Sequence, residues 1–204
     1  MNAVINVLKE IRRGAGSLIG RQKSWEKLEY FDENWKKRIE AMAKYIAPGE
    51  SVIDLGCGQM WLRPLLKDNV YHPVDYKQRD SSVSVVDFNN YEFPDIEADV
   101  AFVSGALEYV QDHQWFIRKI CSHARRCIVS YCTTEHFPDQ RVRRLKAWRS
   151  HLSQAELLEL FFANGMYLEA KSTAVPQNPI FVFGTEGKPE EGEIVGGAIP
   201  DLAQ

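Results

Sequence analysis

Five short apolar runs dominate the middle of the chain: Val52 to Leu55, Val70 to Val74, Val83 to Val86, Val100 to Val103 and Cys127 to Tyr131. Each is four or five residues long and rich in valine or isoleucine. Such side chains are stiff in a helix and pack well on a pleated surface, and an unbroken apolar run marks a strand covered on both faces. Stretches with helical spacing fit between several of the runs, at Trp61 to Leu66 and Asp112 to Cys121. The alternation predicts an α/β fold with a mostly parallel, doubly wound sheet, right-handed crossovers and helices on both faces.

The flanks have their own signals. Leu28, Phe31, Trp35, Ile39, Met42 and Ile46 step by three or four and paint one stripe on a helix that Pro48-Gly49 ends. Ser153 and Glu156 form an S-x-x-E capping box ahead of Leu157, Leu158, Leu160, Phe161 and Phe162, with Gly165 as a left-handed terminator. Two more strands are expected near Tyr167 to Ala170 and Ile180 to Gly184. Residues 1–24, interrupted by Gly14, Gly16 and Gly20, read as an arm or cap; residues 25–185 read as one domain, and 186–204, rich in Gly, Glu and Pro, as a solvated tail.

Composition sets outer limits. At 204 residues and 45% apolar, the chain can build one core without staples. Lys plus Arg number 25 against 28 Asp plus Glu, a formal charge of −3, which argues against a protein that coats nucleic acid. Cys57, Cys121, Cys127 and Cys132 match neither a CxxC knuckle nor a redox pair, so reduced thiols and a cytoplasmic location are expected. No apolar run approaches the roughly 18 residues that cross a bilayer. No metal is expected, because no His, Cys or acidic residues fall at ligand spacing.

Val52-Ile53-Asp54-Leu55-Gly56-Cys57-Gly58-Gln59 carries an apolar strand into a G-x-G turn and the expected helix. Glycines there let backbone approach a ligand closely, and a helix N-terminus presents unpaired amides. A lone G-x-G is a weak signal. Three acids at three successive strand ends, Asp54, Asp75 and Asp87, sharpen it. Asp75 stands 21 residues after Asp54, the spacing at which a doubly wound fold brings a carboxylate to the hydroxyls of a ribose. Asp87, followed by Phe88, is placed to meet the exocyclic amine of a purine while the ring stacks nearby. Together they describe an adenosine pocket. Trp61 occupies the third glycine of a dinucleotide fingerprint, and the chain has no G-x-x-x-x-G-K-[ST] loop, which disfavours NAD and ATP. A phosphate-free ligand with a sulfonium and an amino-acid tail suits a first strand that ends in Asp54.

Val52 to Trp61, Asp75 and the run Asp87 to Asp112 resemble the successive motifs of the class I S-adenosylmethionine-dependent methyltransferases. Phe93-Pro94 with Ala98 to Val110 is similar to the fourth-strand motif of the small-molecule branch, and His151-Leu152-Ser153, Glu156-Leu157 and Asn164-Gly165 resemble its last helix. The resemblance covers about residues 50 to 185. It implies a Rossmann-like sheet of seven strands, the last antiparallel, and S-adenosylmethionine as cofactor. It further implies Asp54, Gly56, Cys57 and Gly58 around the carboxypropyl tail and sulfonium, Asp75 at the ribose, Asp87 with Phe88 at the adenine, and Ser104 at the end of the fourth strand. Met60 stands where the family has the third glycine of G-x-G-x-G.

The acceptor side is less determined. Glu108 and Tyr109 follow the fourth strand, where cofactor and acceptor meet. His113 and His136 are the imidazoles best placed as bases, although each also reads as an ordinary solvated or core histidine. Residues 141–149 hold five cations and Trp148, and read either as a solvated helix face or as a lid whose Arg143 and Arg144 bind an anionic acceptor or RNA. The favoured reading is methyl transfer by in-line displacement to a small, anionic metabolite. RNA or protein methylation through 141–149, or a non-catalytic binding module on the same fold, are its alternatives. A small-molecule partner is favoured over nucleic acid, and membrane contact through Lys9, Arg12, Arg13, Arg21 and Lys23 is disfavoured. The oligomeric state is left open.

Overall fold

The computed structural model describes residues 32–185. In chain order these form α1 (Asn34–Ala43), β1 (Val52–Leu55), β2 (Tyr71–Asp75), β3 (Ser84–Val85), β4 (Ala98–Ser104), α2 (His113–His123), β5 (Ala124–Ser130), α3 (Gln140–Leu145), α4 (Gln154–Ala163), β6 (Tyr167–Ser172) and β7 (Ile180–Gly184). One seven-stranded sheet runs β3-β2-β1-β4-β5-β7-β6. Strands β1 to β5 are parallel to one another, while β7 is antiparallel to both β5 and β6. The architecture is therefore the Rossmann-like one expected. Its strand order turns back between β1 and β4, and the crevice of such a sheet opens at that switch point.

Alternation along the strands divides the core in two. Ile53, Leu55, Ala101, Val103, Cys127 and Val129 face α2 and α4, where Phe116, Ile120, Leu157 and Phe161 close over them. Val52, Val100, Phe102, Ile128 and Val182 face the other way and pack beneath Met42 of α1 and Leu62. At the carboxyl ends of the strands, polar side chains replace apolar ones on this second face, at Asp54, Asp75, Ser104 and Ser130. Position in the fold thus sets them aside from the core.

The structure departs from expectation in three places. Trp61 to Leu66 is not an α-helix but a single 3-10 turn over Arg63–Leu65. Pro64 lies inside it, and a ring without an N–H interrupts the hydrogen-bond ladder. The run at Val83 to Val86 shrinks to the two-residue edge strand β3, with Val85 51% exposed, because no element among the described residues covers the sheet there. Helix α1 stops at Ala43, before Pro48-Gly49. Leu28 and Phe31, the arm 1–24 and the tail 186–204 lie outside the described residues. Among the described residues, no helix is long and apolar enough to cross a membrane.

Helix boundaries follow their caps. Asp112 Oδ1 accepts the Trp115 N–H at the start of α2. At α4 the Ser153 Oγ accepts the Glu156 N–H at 3.1 Å, and Glu156 Oε2 accepts the Ser153 N–H at 2.7 Å. Gly165 then ends the helix at φ +80°. Replacing Ser153 with Ala removes one half of this reciprocal pair and is expected to lower stability by about 1 kcal/mol. Urea denaturation of the two proteins checks it.

Candidate active site

The chain leaves β1 through three left-handed residues, Gly56 (φ +85°), Gly58 (φ +51°) and Met60 (φ +54°). The first is required by space as well as by conformation. A Cβ on Gly56 would lie 2.6 Å from the Cβ of Ala106, so only glycine lets this loop seat on the segment that follows β4. Met60, a residue with a Cβ held in the left-handed region, carries a backbone cost of order 1 kcal/mol.

Beside the loop stand two buried carboxylates on adjacent strands. Asp75 Oδ2 accepts the Gly58 N–H at 2.8 Å, and its Oδ1 accepts the Lys77 N–H at 3.2 Å. Asp54 Oδ2 accepts the Tyr71 hydroxyl at 2.7 Å. Burial pushes the Asp54 carboxyl up to about 7; the Tyr71 hydrogen bond opposes this, and the neighbouring Asp75 adds to it. Cys57 lies buried between them, its thiol pushed up by burial and by both acids. Nothing in that environment makes it a nucleophile.

Asp87 follows β3, and its Oδ1 accepts the Asn89 N–H, capping the 3-10 turn Phe88–Asn90. The Phe88 ring packs against Phe116 at 4.6 Å and Phe93 at 6.1 Å between centroids. Phe88 is thus half-buried, with its ring in an aromatic cluster. Asn89 joins this turn to the segment after β4, donating to Tyr109 O at 3.2 Å and accepting the Gln111 N–H at 2.8 Å.

The end of β4 carries a residue that sequence reasoning missed. Arg38 of α1 donates from Nε to Ser104 Oγ (3.0 Å), from Nη2 to Ser104 O (3.3 Å) and from Nη1 to Asn178 Oδ1 (3.2 Å). It is buried, and its guanidinium packs on the Trp35 ring at 5.8 Å. A guanidinium has five N–H donors, so two are left without an acceptor among the described residues. The signal was present: an arginine stands on the apolar stripe of the helix, between Trp35 and Met42.

Glu108 is buried, with Oε1 accepting the Cys132 N–H at 3.0 Å and Oε2 without a partner. Burial raises its carboxyl above the usual range, while Arg38 and Arg143 oppose the shift. Its own carbonyl accepts the Arg149 and Ser150 N–H groups. Ser130 Oγ, also buried, has no partner. Tyr109 faces Trp148, and burial pushes its hydroxyl up to about 12.

Three expected site residues fall elsewhere. Arg143 is fully buried and donates to His151 Nδ1, the Cys132, Thr133, Phe137 and Ser150 carbonyls and the Tyr131 hydroxyl. Every N–H is used, so it has nothing left for an acceptor; Arg144 is exposed. His113 opens α2 on the opposite sheet face from Asp54 and Ser104. Burial lowers its pKa, with Asp112 and Glu156 opposing the shift. His136 lies in the segment after β5 with Nδ1 2.9 Å from Thr133 Oγ1, away from the acidic pair.

A family model described as a methyltransferase domain matches residues 25–169. The chain belongs to that family. Many solved structures share the fold of this methyltransferase. One is the methyltransferase in complex with the Haloferax volcanii Trm112 activator, with a TM-score of 0.58, 18% identity and coverage of 74% of this chain and 90% of that one. A second is an O-methyltransferase of neocarzinostatin biosynthesis, with S-adenosylmethionine and 2-hydroxy-5-methyl naphthoic acid. Its TM-score is 0.57 at 20% identity, over 71% of this chain and 51% of that chain. A third is the Burkholderia thailandensis 1,6-didemethyltoxoflavin-N1-methyltransferase with S-adenosylhomocysteine, at a TM-score of 0.57, 13% identity and 90% and 89% coverage. No curated protein matches the chain.

Arg143 of this methyltransferase gives the site a direct test. Arg143→Met leaves the Cys132 and Ser150 carbonyls buried without donors and is expected to cost about 3 kcal/mol or more of stability. Arg144→Met is expected to fall within about 0.5 kcal/mol of the parent. Thermal and urea unfolding of both variants would show equal losses if Arg143 were a surface ligand.

Proposed function

We propose that this methyltransferase takes S-adenosylmethionine at the carboxyl ends of β1, β2 and β4 and passes its methyl group to a small molecule. The observation that carries the reading is the Gly56–Gly58 loop, seated on Ala106 and held by its Gly58 N–H to the Asp75 carboxylate. That loop, which has no room for a Cβ at Gly56, lies beside two buried acids and a buried arginine, a set that fits a cationic ligand with an amino-acid tail. Relatives of the same fold hold S-adenosylmethionine with a naphthoic acid, and S-adenosylhomocysteine with a toxoflavin precursor.

Each residue then has a task. Asp75 keeps lone pairs for both ribose hydroxyls, Asp87 meets the adenine amine, and Phe88 supports the floor beneath it. Gly56, Cys57 and Gly58 line the tail, with Ser104 and Arg38 at its carboxylate; the two open N–H donors of Arg38 match that group. Asp54 lies toward the cationic end. When bound, the cofactor supplies a methyl group on an activated sulfonium, transferred by in-line displacement. The chain's part is to hold the acceptor against it, and such positioning supplies about 7 to 11 kcal/mol.

Asp75→Ala is expected to weaken S-adenosylhomocysteine binding by roughly 10- to 150-fold, the range for hydrogen bonds to a charged group. Calorimetry on the folded variant that gave the parent affinity would remove the ribose assignment.

The Asp54 carboxyl titrates at about 7 in the fold, above its ordinary value of 3.8. Its contribution to stability is therefore full below about pH 4 and is lost as pH rises through 7. Cofactor binding runs the other way, because a cation favours the ionised form. Affinity is expected to rise between pH 6 and 8, by at most about tenfold per unit, and to flatten in Asp54→Asn. A flat profile in the parent protein would contradict the placement of Asp54 at the cationic end.

A further inference from the structure

With Arg143 turned inward, the other arginines of its segment point out. Arg141, Arg144 and Arg149 are exposed, and their side chains make no hydrogen bond or ion pair among the described residues. Lys146 lies over Phe137 and Trp148 at 5.9 and 5.8 Å. Arg143 itself is bonded only to neutral groups, since His151 Nδ1 accepts from it. Asp139 is the sole acid from residue 136 to 149, and it is engaged by the Arg141 and Val142 N–H groups. The buried Glu108 faces Arg143, and Glu135 lies beside His136 at the start of the segment. Five cations thus stand together on a chain whose net charge is −3.

Their position gives this charge a use. The Arg149 and Ser150 N–H groups donate to Glu108 O at 2.6 and 3.1 Å, which joins the segment to the turn after β4. The far side of that turn is Ala106, on which the Gly56 loop sits. Trp148, facing Tyr109, forms the corner between them, and both rings are half-buried. The corner lies on the β5 side of the switch point, across β1 and β4 from Asp75 and Asp87.

We propose that Arg144 and Arg149, beside Tyr109 and Trp148, form the acceptor's entrance and select a flat, apolar acceptor that carries a carboxylate or phosphate. The inference rests on the cofactor reading above. An adenosine has no anionic group, and the tail carboxylate has Arg38, so the corner matches a second anion that belongs to the acceptor. Half-buried rings supply the apolar surface, and guanidinium forks bind carboxylate and phosphate bidentately. A cleft lined by one sign of charge also draws its ligand in, an effect that salt weakens. Three exposed arginines on an acidic chain make a short footprint for a polyanion, which disfavours RNA.

The test uses the full chain saturated with S-adenosylhomocysteine, with 1-naphthoate and its neutral isostere 1-naphthamide as probes followed by calorimetry at low salt. Naphthoate is expected to bind at least about tenfold more tightly, with the preference shrinking in 0.5 M salt and lost in the Arg144→Met/Arg149→Met double variant. Affinity of that variant for S-adenosylhomocysteine is expected to stay at the parent value, which also shows that it is folded. Equal binding of the two probes, a preference that survives in the double variant, or displacement of naphthoate by a 12-nucleotide RNA at equal concentration would overturn the corner alone. Failure of the parent to bind S-adenosylhomocysteine would overturn the cofactor reading and with it the acceptor role.

Discussion

The close approach of Gly56 to Ala106 is the constraint on which the site depends. β1 and β4 are neighbours whose onward connections leave in opposite directions, so the crevice between their ends stays open only if neither backbone fills it. Glycine stands on both sides of this gap. Gly56 admits Ala106, and Gly105, left-handed at φ +70°, admits Arg38, whose Nη2 would lie 2.6 Å from a Cβ there. With the gap set, the Gly58 N–H reaches Asp75 and the guanidinium reaches Ser104. Acid, amide and cation are thereby brought to neighbouring strand ends by backbone geometry, before any ligand contributes.

On the other side of the crevice, two buried charges act on two peptide units. The Cys132 N–H goes to Glu108 and its carbonyl to Arg143; the Ser150 N–H goes to the Glu108 carbonyl and its own carbonyl to Arg143. Residues 131–133 and 149–151 are thus both tied to Glu108, the first through its carboxylate and the second through its backbone carbonyl, and both to the Arg143 guanidinium. Buried charges are expensive, and such an arrangement adds little net stability over an apolar one, but it permits one geometry and not several. That selectivity suits a wall that must present Tyr109 and Trp148 at a fixed distance from the reacting end of the cofactor.

Much of this was readable from the chain, for identifiable reasons. β1, β4, β5 and β7 are buried on both faces, so their apolar runs stand out, and α4 declares itself through Ser153 and Glu156. Asp54, Asp75 and Asp87 were found because their order along the chain is their order across the sheet. What misled was local pattern without tertiary context. The helical spacing of Trp61 to Leu66 hid Pro64, and Arg143 among five cations looked like surface although it is the most enclosed of them. Arg38 went unnoticed because a cation on an apolar stripe reads as noise until the strand it covers ends in serine.

The missing helix after β1 has an electrostatic consequence that ties these points together. A helix N-terminus at the glycine loop would place partial positive charge beside the strand-end acids and hold their carboxyls low. Here the loop passes into one 3-10 turn, and Asp75 draws the Gly58 amide to itself. Asp54 is left with the Tyr71 hydroxyl as its hydrogen-bond donor, a buried acid for a neighbour and no helix dipole, which is why burial wins and its carboxyl reaches about 7. Asp54, with no cation bonded to it among the described residues, gains a compensating charge from a cationic ligand. Selectivity for a cationic cofactor over a neutral or anionic nucleotide then follows from the cost of leaving those acids uncompensated.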